Sequence, residues 1–175
     1  MNIKTFWELI NDTQRANDGN ISKQADLLVE KLRHMSDAEI LAFDKILEDL
    51  MNDAYDAALW DAAYIIGCGC SDDGFYEFRG WLIAQGKEVY EKALSDPESL
   101  VDLIEIDETA QQGHLLYVSL AAYEQKTGQE MPPRTRKVAP LKGTLWEEED
   151  KNARFPKLAA KFGDCDQRDE IWFDR

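Results

Sequence analysis

The sequence predicts an all-α fold: a single compact multi-helix domain organised around a central helical hairpin, with an irregular C-terminal tail. Three observations predict it. Apolar residues recur at three-and-four spacing over residues 5–127, with few alternating β-branched runs. The helix-start patterns Thr5-x-x-Glu8 and Ser36-x-x-Glu39 have the spacing of capping boxes, in which a hydroxyl and a carboxylate satisfy each other's backbone amides. The stretch 60–86, where the chain is most apolar, reads as two helices joined by a short turn.

Taken in order, Phe6, Leu9, Ile10 and Thr13 share one face of a first helix that runs to about Ala16, and Asp18-Gly19-Asn20 breaks it. Ser22 is placed to cap a second helix, with Ala25, Leu28, Val29 and Leu32 on its apolar face. Ile40, Phe43, Leu47, Leu50, Met51 and Ala54 carry a longer third helix toward Tyr55. Beyond the hairpin a short helix spans 87–94, and Ser95-Asp96-Pro97 ends it and starts another, because proline suits a first helical turn. A last long helix is expected over 109–127 with Gly128 as its stop, and His114 near its middle reads as a packing residue. Residues 1–128 are the expected helical core. Residues 129–175 are expected as an extended basic segment and tail that pack back on it, with one or two helical turns over 155–162 before Gly163 and with Cys165, Trp172 and Phe173 returning to the core.

The hairpin also concentrates the chemically capable residues. Gly67 and Gly69 relax the turn, and Ser71 or Asp72 is placed to cap the second helix. Asp72 and Asp73 read first as acids favoured by the helix dipole in an opening turn; the alternative is a pair that binds a cation or orients a water. Arg79 lies in an aromatic segment and needs a partner, for which Asp61, Asp72 or Asp73 would serve in a structural ion pair, with an anionic group of a ligand as the alternative. Trp60 and Trp81 are candidate walls of a pocket. The candidate ligand or partner site is therefore Trp60, Ser71, Asp72, Asp73, Arg79 and Trp81. No catalytic residue, metal ligand or cofactor is assigned: phosphate-loop, dinucleotide, zinc-protease and serine-hydrolase patterns are missing, and Cys68-Gly69-Cys70 lacks metal or redox spacing. Cys70 reads as a small buried residue, since no histidine is local to activate it.

The central block, W-x-A-A-Y-x-I-x-x-G-C-S-D-D-x-F-x-x-F-R-x-W-L-I-x-x-G, resembles a bacterial family, domain of unknown function 4240. The opening TFWELI and the IEIDE segment near Ile104 resemble it too, and the similarity spans roughly the first two thirds of the chain. Cys70, Ser71, Asp72, Asp73, Phe75, Phe78, Arg79 and Trp81 fit the pattern; Cys68 falls outside it, which tells against a paired thiol there. The resemblance implies no activity, and no catalytic residue is carried over from it.

A formal net charge of -15 over 175 residues opposes a phosphate backbone, so general nucleic-acid binding is not expected. The same charge would steer a basic protein partner. Glu105, Asp107 and Glu108 form a local acidic cluster, read as a solvated loop, with a cation site as the alternative. The one basic stretch, with Arg134, Arg136, Lys137 and Lys142, reads as a strap across the chain's own acidic helices, with a docking arm as the alternative. No apolar run approaches a membrane span, no signal-peptide pattern opens the chain, and three cysteines are an odd number, so a soluble protein of the reducing cytoplasm is expected. Nothing in the sequence specifies an oligomeric state. The expected function is a protein-interaction module, a regulator or immunity-type binder of a basic partner; the alternative is a small-ligand-binding or hydrolytic enzyme with its site at the Ser71-Asp72-Asp73 turn.

Overall fold

The computed structural model describes residues 1–17, 20–104, 113–133 and 139–165. Nine α-helices are found among them: α1 Ile3–Ala16, α2 Ile21–Arg33, α3 Asp37–Asp53, α4 Ala57–Gly67, α5 Asp72–Ala84, α6 Lys87–Ser95, α7 Val118–Thr127, α8 Glu148–Arg154 and α9 Pro156–Phe162. Two 3-10 segments, Pro97–Asp102 and Gly113–Tyr117, join them, and no strand occurs among the described residues. No described helix is long and apolar enough to cross a membrane.

Helix α5 lies at the centre. It packs on one side against α1, α3 and the Gly113–Tyr117 segment, and it also touches α4 and α6. On one flank α1, α2, α3 and α7 pack together; on the other α4, α8, α9 and Pro97–Asp102 do. Phe75, Phe78, Gly80, Leu82 and Ile83 of α5 are buried, as are Leu59, Ala62, Ala63 and Ile66 of α4. Helices apolar on nearly every side belong in a core, and the 60–86 hairpin is there for that reason.

The start signals are partly relocated. Ser36 and Glu39 form the expected capping box. Helix α1, however, is capped by Asn2, whose side chain accepts from the Thr5 amide, and α2 by Asn20, which accepts from Lys23, in place of the Thr5 box and Ser22. Asparagine is as good an N-cap as serine, and the helix takes the acceptor nearest its first turn. The hairpin turn uses a left-handed Cys68 (φ 52°) followed by Gly69 (φ 132°), whose amide donates to the Tyr64 carbonyl at 2.9 Å. The segment from Gly113 begins as a 3-10 turn and becomes α7 only at Val118, and His114 is exposed rather than packed.

Residues 139–165 are more regular than their pattern indicates. Lys142 makes an isolated parallel bridge with Asp56: its amide donates to the Tyr55 carbonyl (3.0 Å), and its carbonyl accepts from Ala57 (2.8 Å). Helix α8 was not expected. Phe155, Leu158 and Phe162 are buried, and α9 packs on α4. A disulfide joins Cys68 to Cys165, so Cys68 is paired after all, across 97 residues of sequence rather than with Cys70. The expectations for Asp18 and Gly19, Glu105, Asp107, Glu108, residues 109–112, Arg134, Arg136, Lys137, Trp172 and Phe173 fall outside the described residues.

Candidate functional site

The site is built where the C-terminal end of α3 meets the N-terminal half of α5. The last carbonyls of a helix lack intrahelical partners and carry partial negative charge. Helix α3 has no basic residue in its last turn, and neighbours supply the donors. Arg79 Nη1 donates to the Met51 carbonyl at 2.7 Å, Tyr90 Oη to Leu50 at 2.7 Å, and Lys142 Nζ to Asp53 at 2.8 Å. Arg79 Nε also donates to the Phe75 carbonyl at 3.2 Å, and the guanidinium lies 4.7 Å from the Tyr55 ring centroid and 5.0 Å from that of Phe75. Arg79 is thereby a clamp between α3 and α5. It is buried, and its position sets the walls of the cleft beside it.

That cleft has a volume of about 510 Å³. Trp60, Asp72, Asp73 and Arg79 line it together with Glu48, Tyr55, Tyr76, Glu77 and Tyr117. Four of the six residues singled out in the sequence thus converge on one space. Ser71 is the cap of α5, its hydroxyl accepting from the Gly74 amide at 3.1 Å; Asp72 and Asp73 are exposed in the first turn. Trp81 does not line the cleft: it is buried, 5.5 Å from Phe78 between ring centroids. At that register α5 faces the core, so Trp81 serves packing.

Trp60 is fixed from two directions. Its indole N–H donates to the Cys70 carbonyl at 3.0 Å, and its ring stacks on Phe75 at 4.8 Å. Sequence reading missed Glu48, Tyr55, Tyr76, Glu77 and Tyr117. The signal was present in the helical repeat: Tyr76 and Glu77 follow Asp72 and Asp73 by four residues, and Glu48 is one turn before Asn52 on α3, with Tyr55 just past the end of that helix. What no spacing reveals is that these two faces oppose each other. One carboxylate oxygen of Glu48 is buried with no hydrogen-bond partner among the described residues. Arg79 is the only cation among the described residues lining the cleft, against the carboxylates of Glu48, Asp72, Asp73 and Glu77. Among the described residues, no three His, Cys, Asp or Glu side chains are placed to hold a metal ion.

Asp61, one of the carboxylates expected to serve Arg79, is engaged elsewhere. Fully buried, it lies 3.6 Å from both Lys151 and Arg154 of α8 and accepts from the Trp146 amide at 3.2 Å. Burial holds its carboxyl above the ordinary range in spite of those cations. Cys70, partly buried beside the turn, has its thiol pushed up to about 12, chiefly by desolvation. It is inert rather than nucleophilic at neutral pH.

The family model described as "Protein of unknown function (DUF4240)" matches residues 1–125, a span that includes α1 to α6 and every residue of the cleft. No curated protein and no solved structure matches the chain.

Proposed function

The chain belongs to the DUF4240 family, which is defined without an activity, and from that premise we propose that it is a protein-interaction module whose cleft between α3, α5 and the Gly113–Tyr117 segment receives a basic side chain of a partner protein. The observation that carries this reading is the lining: four carboxylates and the rings of Tyr55, Trp60, Tyr76 and Tyr117 surround a space in which the one described cation, Arg79, is already turned onto the Met51 carbonyl. A lysine ammonium or arginine guanidinium satisfies both kinds of wall, through carboxylates at the rim and aromatic faces within. It also offers a donor to the buried Glu48 oxygen. The net charge of -15 adds long-range steering toward such a partner.

The volume of about 510 Å³ is also that of a small-molecule site, and it supports a second reading in which a free organic amine is the ligand. Calorimetric titration separates the two. Arginine- and lysine-containing peptides should bind, a charge-reversed glutamate peptide should not, and Asp72→Asn/Asp73→Asn should weaken binding by about tenfold at low salt, as expected for two exposed charges of ~0.5–1 kcal/mol each. Binding of small amines with none of the basic peptides would transfer the cleft to the second reading. Indifference to both ligand classes would remove the proposal.

A further inference from the structure

We propose that the Cys68–Cys165 disulfide is a thiol-exchange site, a redox-controlled clasp that fastens the C-terminal segment 139–165 over α4 and opens to a dithiol reductant. This inference does not depend on what the cleft binds.

Both cysteines are exposed residues at the protein surface, the location that exchange with a thiolate from solvent requires. Their placement gives the bond leverage. Cys68 is the left-handed C-cap of α4, and Cys165 lies three residues beyond the end of α9, with Cα atoms 5.6 Å apart. The segment is tied at its other end by the Lys142 bridge to Tyr55 and Ala57. Between the two ties run α8, whose Lys151 and Arg154 face Asp61, the buried Phe155 that joins it to α9, and α9 itself, which buries Leu158 and Phe162. Oxidised, the segment is a closed loop anchored at both ends, and opening it requires both ends to stay in place while the middle lifts. Reduced, that end loses its covalent anchor, and α9 is held only by its packing and by bonds such as those of the Lys157 amide to Glu98 (2.6 Å) and Lys161 Nζ to the Val101 carbonyl (3.0 Å), so it can peel from its C-terminus. A short helix of seven residues with two buried apolar anchors of its own belongs to the low-stability end of a structure once its terminus is untied.

Cys70 does not interfere. Two residues from Cys68, it would be the natural internal exchanger, but it is partly buried and stays protonated at neutral pH, so an external thiol is required. The exchange is a two-electron step. A reductant thiolate attacks one sulfur, the Cys68–Cys165 bond breaks, and the displaced cysteine takes up a proton. The second reductant thiol, losing its proton, attacks the mixed disulfide and releases the other cysteine, which is protonated in turn; the reductant leaves as its own disulfide.

Hydrogen exchange on the full chain tests this, with dithiothreitol as the probe dithiol and intact mass to follow the gain of two hydrogens. Reduction should raise amide exchange at least about tenfold over α9 and α8 while α1, α2 and α3 keep their protection, and Cys165→Ser without reductant should reproduce that pattern. Unchanged exchange over α9 after complete reduction overturns the clasp. So does a loss of protection throughout the chain, which makes the bond a global staple, and so does an air-oxidised protein whose mass shows free Cys68 and Cys165. The wild-type reduction keeps the test valid if the serine variant does not fold.

Discussion

Replacing Gly80 by alanine tests the packing on which the cleft depends. Gly80 lies in the interior of α5, where its bare Cα faces the Gly113–Tyr117 segment. A Cβ added there would be 2.9 Å from both Cγ and Cδ2 of Leu116 and 3.4 Å from Cδ1. A shift of the terminal methyl alone does not relieve this, because Cγ is as close as Cδ2, and Leu116 is only 2% exposed. Two effects oppose each other. Alanine favours the helix interior over glycine by about 1 kcal/mol, whereas forcing a methyl into a packed core costs about 1–3 kcal/mol. With the branch carbon itself displaced, the upper half of that range applies. The net expectation is a destabilisation of about 1–2 kcal/mol, or a Tm lower by about 2–8 °C for a chain of this size. Chemical denaturation of Gly80→Ala, Leu116→Ala and the double variant checks it. Leu116→Ala alone should cost about 2–5 kcal/mol through the cavity it leaves, and the double variant should fall short of the sum by about 1 kcal/mol, because the new methyl enters that space. A Gly80→Ala protein more stable than wild type, with additive energies in the double variant, would show that α5 and Leu116 are not in close approach and would undo the account of the cleft wall.

Two further outcomes follow from buried ionisable groups. Asp61 has a carboxyl raised above its unfolded value, so its contribution to stability is fully present below that unfolded value, near 3.8, and is lost as pH rises through the raised folded one. The unfolding free energy of wild type minus that of Asp61→Asn should therefore decline as pH increases from about 4 toward neutrality; a difference that grows with pH would show that Lys151 and Arg154 outweigh the burial. The Cys70 thiol, at about 12 against 9.0 for an ordinary cysteine, should alkylate at pH 7.5 two to three orders of magnitude more slowly than a peptide thiol, by roughly the ratio of thiolate fractions. The same shift removes stability as pH rises from 9.0 to about 12, and a flat alkaline profile together with peptide-like labelling would contradict its burial.

Periodicity and caps alone determined that this chain is helical, that Ser36 begins a helix and that the 60–86 hairpin is central, because these depend on neighbours within four residues. The convergence of Trp60, Asp72, Asp73 and Arg79 was legible only as a short stretch of capable residues. That stretch also contained Trp81, which the helical register turns to the core, and Ser71, which the backbone consumes as a cap. Tertiary structure decided the rest. Glu48 reaches the site because α3 and α5 lie side by side, and Arg79 finds its acceptor 28 residues away on Met51 because α3 ends there without a donor of its own. Asp61 is taken by α8, a helix that polar, weakly patterned residues did not announce, and Cys68 meets a cysteine 97 residues distant. Local propensity acts through the bonds along the chain, whereas carboxylates opposed across a cleft and sulfurs joined across the fold exist only once separate helices have packed.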